Sequence, residues 1–187
     1  MFSILPQEIN QLIFTYSPKE VRAINKYYNS FSKKYTTIKN DISYKITNNE
    51  LKYLVNLTEL DLSLNKNVTD DILNLLTNLK YLKLSHNNNI TNNGIVKLIN
   101  LIELDVSFNQ KITNEGIGLL VNLEKLNIGF ESKITIVGIK NHNNLKIVDI
   151  SNNRHIDNDI YNLKNIEIIG DTLSKIISNA LQVLTNF

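Results

Sequence analysis

The sequence predicts an α/β solenoid, with a parallel β-sheet on its concave face and short helices on its convex face, preceded by a small helical head and closed by a C-terminal helix. Three observations carry this expectation. An Asn-Leu dipeptide recurs at Asn56-Leu57, Asn78-Leu79, Asn100-Leu101, Asn122-Leu123 and Asn144-Leu145, always twenty-two residues apart, and once more at Asn162-Leu163 after eighteen. From the leucine of each pair onward runs Leu-x-x-Leu-x-Leu-Ser-x-Asn, as in Leu79, Leu82, Leu84, Ser85 and Asn87. The second half of the unit reads Ile-Thr-x-x-Gly-Ile-x-x-Leu, as in Ile90, Thr91, Gly94, Ile95 and Leu98. Self-similarity at a fixed short period marks a stacked array, because each unit can bury its apolar face only against its neighbours. The expected division is a helical head over residues 1–40 and an array over 41–187, with about six repeats starting near residues 57, 79, 101, 123, 145 and 163 and a capping helix over 172–185.

The head comes first. Leu5-Pro6-Gln7-Glu8-Ile9 opens a helix with proline at its first position and an acid in its first turn, and Ile9, Leu12, Ile13 and Tyr16 then share one side. Ser17-Pro18-Lys19-Glu20 is a second helix start, with serine as cap and glutamate at the capping-box position, followed by Val21, Ile24, Tyr28 and Phe31 at helical spacing. So small a helical unit needs an adjoining domain or a partner to cover its apolar surface. It could simply cap the array. Tyr35, Ile38 and Ile42 partly match the strand template, so residues 35–45 read as a degenerate first unit.

In the regular repeats, period-two alternation sends Leu104 and Val106 inward and Glu103, Asp105 and Ser107 outward, which is the signature of a short half-buried strand. The asparagines that follow the strands, Asn65, Asn87, Asn109 and Asn153, can both donate to and accept from buried backbone groups. Glu131 stands at this position in the fourth unit, where an ionised carboxylate cannot donate, so Glu131→Asn is expected to stabilise by roughly 0.5 to 1 kcal/mol. Thr47, Thr69, Thr91, Thr113 and Thr135 precede apolar helical patterns and read as N-caps, with a capping box from Thr47 to Glu50 and Asp157 as the equivalent acceptor in the last repeat. The Asn of each Asn-Leu pair is expected to end its helix in the left-handed conformation. Gly94, Gly116 and Gly138 are expected to let helix approach sheet. Leu173, Ile176, Ile177, Ala180, Leu181 and Leu184 at helical spacing predict the closing helix.

This repeat pattern is similar to that of leucine-rich repeats. Leu5-Pro6-x-Glu8-Ile9-x-x-x-Ile13-Phe14 resembles the opening of an F-box, and Ile24-Asn25-Lys26-Tyr27-Tyr28 resembles its later Val-Cys-Arg-x-Trp element, the match covering residues 3–32. Together they resemble the family of F-box proteins with leucine-rich repeats, although Asn65, Asn87 and Asn109 stand where cysteine is usual there. That resemblance implies a substrate receptor of a cullin-RING ubiquitin ligase, its F-box gripping a Skp-type adaptor through Leu5, Pro6, Ile9, Ile13, Ile24 and Tyr28 while the repeats hold a target protein.

The outward strand positions would form the target face: Glu59, Asp61, Tyr81, Lys83, Glu103, Asp105 and Lys125 among them, with Phe108 and Phe130 just beyond adjacent strands. The outward acids outnumber the lysines, so a basic or amphipathic segment suits the face, unless Asp61, Lys83 and Asp105 only neutralise one another across neighbouring strands. The two phenylalanines serve either as a hot spot or as packing under the turn.

Bulk composition narrows the remaining classes. At 42% hydrophobic the chain can build a core, and the net charge of +2 divides into a head of +4 and an array of −2. Scattered lysines without a basic stripe do not suggest nucleic acid. The absence of cysteine fits a reducing interior, and neither a basic leader nor a span-length apolar run is evident, so an intracellular setting, cytoplasmic or nuclear, without a membrane partner is expected. His86, His142 and His155 fall in different repeats without metal-ligand spacing, no phosphate loop occurs, and repeated aspartates arise from the period itself. A binding module without cofactor or catalytic residues is expected.

Overall fold

The leucines of each unit dictate the architecture, because a three-residue strand with one inward side chain is stable only when its neighbours complete the layer. In the computed structural model, which describes residues 36–38 and 45–170, seven strands form one parallel sheet in sequence order. They are β1 (Thr37–Ile38), β2 (Glu59–Asp61), β3 (Tyr81–Lys83), β4 (Glu103–Asp105), β5 (Lys125–Asn127), β6 (Ile147–Asp149) and β7 (Glu167–Ile169). Each strand from β1 to β6 is followed by a single short helical segment, so the described residues form an open solenoid of strand and short helix. The first strand lies within the expected degenerate unit over 35–45. Of the expected head over residues 1–40, only 36–38 are described, and they join the sheet as β1; its two expected helices and the closing helix over 172–185 lie outside the described residues.

Register explains the core. Leu60, Leu82, Leu104, Leu126 and Val148 pair directly across successive strands, and all are buried. Leu57, Leu79, Leu101, Leu123 and Leu145 form a second buried row, and the helices contribute Leu51, Leu73, Ile95, Ile117 and Ile139. Repeating the same side chain at the same depth joins these rows into one continuous core, and truncating any one to alanine costs about 2–5 kcal/mol.

Three polar ladders run parallel to these apolar rows. The first is the expected one: Asn65, Asn87, Asn109 and Asn153 are all buried, donating through Nδ2 to carbonyls of the preceding repeat and accepting through Oδ1 from their own turn. Glu131 does not belong to it, contrary to expectation. The turn after β5 carries two successive left-handed residues, Phe130 and Glu131, which push Glu131 out to solvent against Gln110 and bring the buried Ser132 into the ladder position, accepting from the Ile134 amide.

The second ladder joins helix starts. All five threonines occupy N-cap positions, and Thr47, Thr91 and Thr135 accept from their own helix, Thr47 within a complete capping box with Glu50. Thr69 and Thr113 make no cap bond of their own. Their hydroxyls instead accept from Asn48 and Asn92, the first helical residues of the preceding repeats, at 2.8 and 2.9 Å. The same residues, with Asp70 and Asn114, accept the backbone N–H of the next threonine at 2.9–3.0 Å. This ladder also corrects the reading of the glycines. A Cβ on Gly94, Gly116 or Gly138 would stand 2.3–2.5 Å from the side-chain oxygen of Asp70, Asn92 or Asn114, so these glycines make room for the ladder, and the sheet is not what they approach.

The third ladder corrects the Asn-Leu pairs. Asn56, Asn78, Asn100, Asn122 and Asn144 do not take the left-handed conformation. The helices end several residues earlier at right-handed caps, and Asn78, Asn100, Asn122 and Asn144 donate across the repeat to the carbonyls of Val55, Thr77, Ile99 and Val121 at 2.9–3.0 Å.

Candidate protein-binding face

The outward strand positions align by the same register as the core. Glu59, Tyr81, Glu103, Lys125, Ile147 and Glu167 form one row, and Asp61, Lys83, Asp105, Asn127, Asp149 and Ile169 the next. Six acids face two lysines, a formal charge of −4 spread over six strands. At the usual inter-strand spacing of about 4.8 Å the face is roughly 24 Å long. Shallow depressions of about 260 Å³ and 180 Å³ lie between these side chains, the larger bordered by Lys83, Glu103, Asp105 and Lys125, the smaller by Glu59, Asp61, Tyr81 and Lys83.

Neutralisation between strands is slight. Lys125 Nζ reaches Glu103 Oε2 at 3.8 Å with both side chains substantially exposed, a pair worth well under 1 kcal/mol. The expected Asp61–Lys83–Asp105 ladder is not formed: among the described residues no ion pair joins Lys83 to either aspartate. Each aspartate instead turns onto its own strand end. Asp61 accepts the Ser63 N–H at 2.9 Å, and Asp105 accepts both the N–H and the hydroxyl of Ser107 at 2.9 and 2.7 Å. Asp149 does the same with Ser151, and Asn127 with Gly129. These are Asx-turns that stop the strand, so the aspartates are structural as well as charged.

Beside the acidic rows stands an aromatic column. The residue between each strand-end Ser or Gly and the following ladder position is left-handed in every repeat from Leu64 through His86, Phe108 and Phe130 to Asn152, with φ between 46° and 61°. The twist keeps the N–H in the sheet: Leu64, His86 and Phe130 donate to Ser85, Ser107 and Ser151 at 2.7–3.1 Å. It also lifts the side chains out of the core into a stack, with ring centroids 3.9 Å apart from His86 to Phe108 and 4.5 Å from Phe108 to Phe130, the planes within 14°. Phe130 is 37% exposed and Leu64, at the start of the column, 60%. The two phenylalanines therefore pack on each other, Phe108 half-buried between His86 and Phe130, and Phe130 the more open of the two. The column's extent escaped sequence reading, although its signal was present: a bulky residue before Asn at the repeat period.

The remaining candidates are dispersed. Leu5, Pro6, Ile9, Ile13, Ile24 and Tyr28 lie outside the described residues. His142 occupies the buried core position held by Leu54, Leu76, Leu98 and Leu120 in other repeats, its Nε2 3.0 Å from the Ile117 carbonyl. His155 lies in the following turn. No group of three or more His, Cys, Asp or Glu suited to a metal occurs among the described residues, nor any helix long and apolar enough to cross a membrane.

Comparison with known proteins agrees with this architecture. A leucine-rich-repeat family model matches residues 53–76, 75–99 and 97–121. No curated protein matches significantly. Among solved structures, a chain from the Rad7 and Elc1 complex in yeast superposes with a TM-score of 0.58 at 18% identity, covering 68% of this chain and 38% of that one. An internalin (inlF) from Listeria monocytogenes gives 0.53 at 27% identity over 68% of this chain and 36% of that one. Internalin C2 from the same organism gives 0.57 at 24% identity over 75% of each. This chain thus spans well under half the length of the first two.

Proposed function

We propose that the chain is a protein-interaction module that holds a basic or amphipathic segment of a target on its sheet face, and that it acts as the substrate-recognition subunit of a cullin-RING ubiquitin ligase, binding a Skp-type adaptor through its head. One observation carries the first part: a rigid face of −4 whose edge presents a stacked, partly exposed aromatic column. An arginine or lysine of the target can lie on the rings while its neighbours meet Asp61, Asp105 and Glu103. Tyr81, Lys83, Glu59, Lys125, Phe108 and Phe130 complete the contact set. Because the ladders fix this surface before a partner arrives, little ordering cost falls on binding.

The second part is supported by the F-box resemblance of residues 3–32 and by likeness to a protein whose structure is that of a complex, Rad7 with Elc1. Leu5, Pro6, Ile9, Ile13, Ile24 and Tyr28 would form the adaptor contact, in an intracellular, cytoplasmic or nuclear setting. Co-purification with a Skp-type protein, lost in a folded Leu5→Ala, Pro6→Ala double variant, is the expected result. Absence of a complex at micromolar concentration would overturn the adaptor reading and leave a leucine-rich scaffold whose head only caps the stack.

A further inference from the structure

The turns leading from each helix to the next strand, residues 52–58, 74–80, 96–102, 118–124, 140–146 and 160–166, line one edge of the array, stitched together by the third asparagine ladder. Their charge is opposite to that of the sheet face. They hold six lysines, Lys52, Lys80, Lys97, Lys140, Lys146 and Lys164, all exposed, against one acid, Glu124, for a net of +5. Glu124 is itself engaged by Lys146 at 2.7 Å.

The same edge carries unburied aliphatics. Leu75, Ile99, Leu119 and Val121 are 54–59% exposed, and Val55 is 37%. Single exposed apolar residues need no explanation, but these recur at two positions of one turn, Val55, Ile99 and Val121 at one and Leu75 and Leu119 at the other, so they form a row. Their backbone is held: the carbonyls of Val55, Ile99 and Val121 are the acceptors of the asparagine ladder. Beyond the row, a cleft of about 460 Å³ opens between Lys140, Lys146 and Lys164, with Glu124, paired to Lys146, also on its wall, so three cations face one acid there.

We propose that this edge docks on an anionic phospholipid surface, the aliphatic row entering the headgroup layer and the lysines meeting lipid phosphates and carboxylates, with the lysine-lined cleft able to admit one headgroup. Exposed aliphatics flanked by cations are the composition of interfacial membrane contacts. A lipid surface fits better than an acidic protein segment, because the aliphatics stand on turns and none of them lines the cleft. The contact is peripheral, requires no spanning segment, and leaves the acidic face turned away from the bilayer for a protein target.

Co-sedimentation of the full chain with vesicles of phosphatidylcholine, alone or mixed with phosphatidylserine, tests this. Binding is expected only with phosphatidylserine, falling as salt is added. Leu119→Ser with Val121→Ser, and separately Lys140→Glu with Lys164→Glu, should each lower partitioning by about tenfold or more, while Phe108→Ala leaves it unchanged. Both pairs substitute exposed side chains, and melts matching the parent establish that the fold is kept. Failure to sediment with phosphatidylserine vesicles, equal sedimentation with phosphatidylcholine alone, or indifference to both pairs would overturn the proposal. Self-association abolished by the lysine pair, without vesicle binding, would assign the edge to a second copy of the chain and equally overturn it.

Discussion

Replacing Asn109 by alanine removes a side chain with no exposed surface that makes four contacts. Its Nδ2 donates to the carbonyls of Asn87 and Ile90, and its Oδ1 accepts from the amides of Lys111 and Ile112 at 2.8 and 2.9 Å. The Ile112 amide lies in a buried contact and is stranded by the change, at about 1–3 kcal/mol. The Lys111 amide is partly buried, and the two carbonyls each lose a donor, so the total loss is about 3–5 kcal/mol. Asn100→Ala is the control, since it removes one exposed bond to the Thr77 carbonyl and should cost about 0.5–1 kcal/mol. Asn109→Asp separates the two halves of the interaction: it keeps the acceptor, loses both donations and sets a charge against two carbonyls, so it should fall close to the alanine variant. Urea melts read this directly. With a slope of about 2 kcal/mol per molar, Asn109→Ala lowers the midpoint by about 2 M and Asn100→Ala by less than about 0.5 M. Equal losses for the two would refute the reasoning that a buried ladder, rather than polarity at the repeat period, holds the turns.

Four further outcomes are expected. Gly116→Ala should cost about 1–3 kcal/mol in a chemical melt despite alanine's better helix propensity, because its Cβ would stand 2.3 Å from Asn92 Oδ1 and 3.2 Å from Asn92 Cα. Glu131→Asn should raise stability by about 0.5 kcal/mol, now because asparagine tolerates the φ of +50° and no longer through ladder bonds, and a thermal melt shows the sign. His142→Leu should stabilise by about 1 kcal/mol: Nδ1 is buried without a partner among the described residues, leucine occupies this site in four other repeats, and the Ile117 carbonyl keeps the Leu120 amide. Phe108→Ala should weaken target binding by about tenfold while lowering stability by no more than about 1 kcal/mol, measured by titration calorimetry and melting; a loss of several kcal/mol would make the column part of the core.

Periodicity made the strands and their inward leucines legible, because alternation at Leu82 and Leu84 admits one pairing face only. The capping box of Thr47 and Glu50 was equally plain, being a local pattern. What escaped were relations between repeats. Asn48, Asp70, Asn92 and Asn114 look like ordinary helix-start residues until stacking places each beside the next threonine. Asn78 and its equivalents were misread because asparagine both tolerates left-handed backbone and donates well, and packing chose the second use. The left-handed positions fell instead on His86, Phe108 and Phe130, whose bulk argues against that conformation, because the exit from the strand onto a buried ladder residue imposes it. The outward rows of the candidate face followed from alternation, but the Asx-turns of Asp105 and Asp149 did not, since a strand aspartate reads simply as charge. The basic edge was invisible for a similar reason: its lysines are scattered along the chain and only register assembles them.

The central claim, that the sheet face holds the target, is most directly tested by site-specific photo-crosslinking with the intact chain and a captured target. A photoreactive residue placed at Tyr81 or Phe130 should form the adduct, and one at Asn93, exposed on the helix side, should not. Adducts from Asn93 with none from Tyr81 or Phe130 would contradict the account.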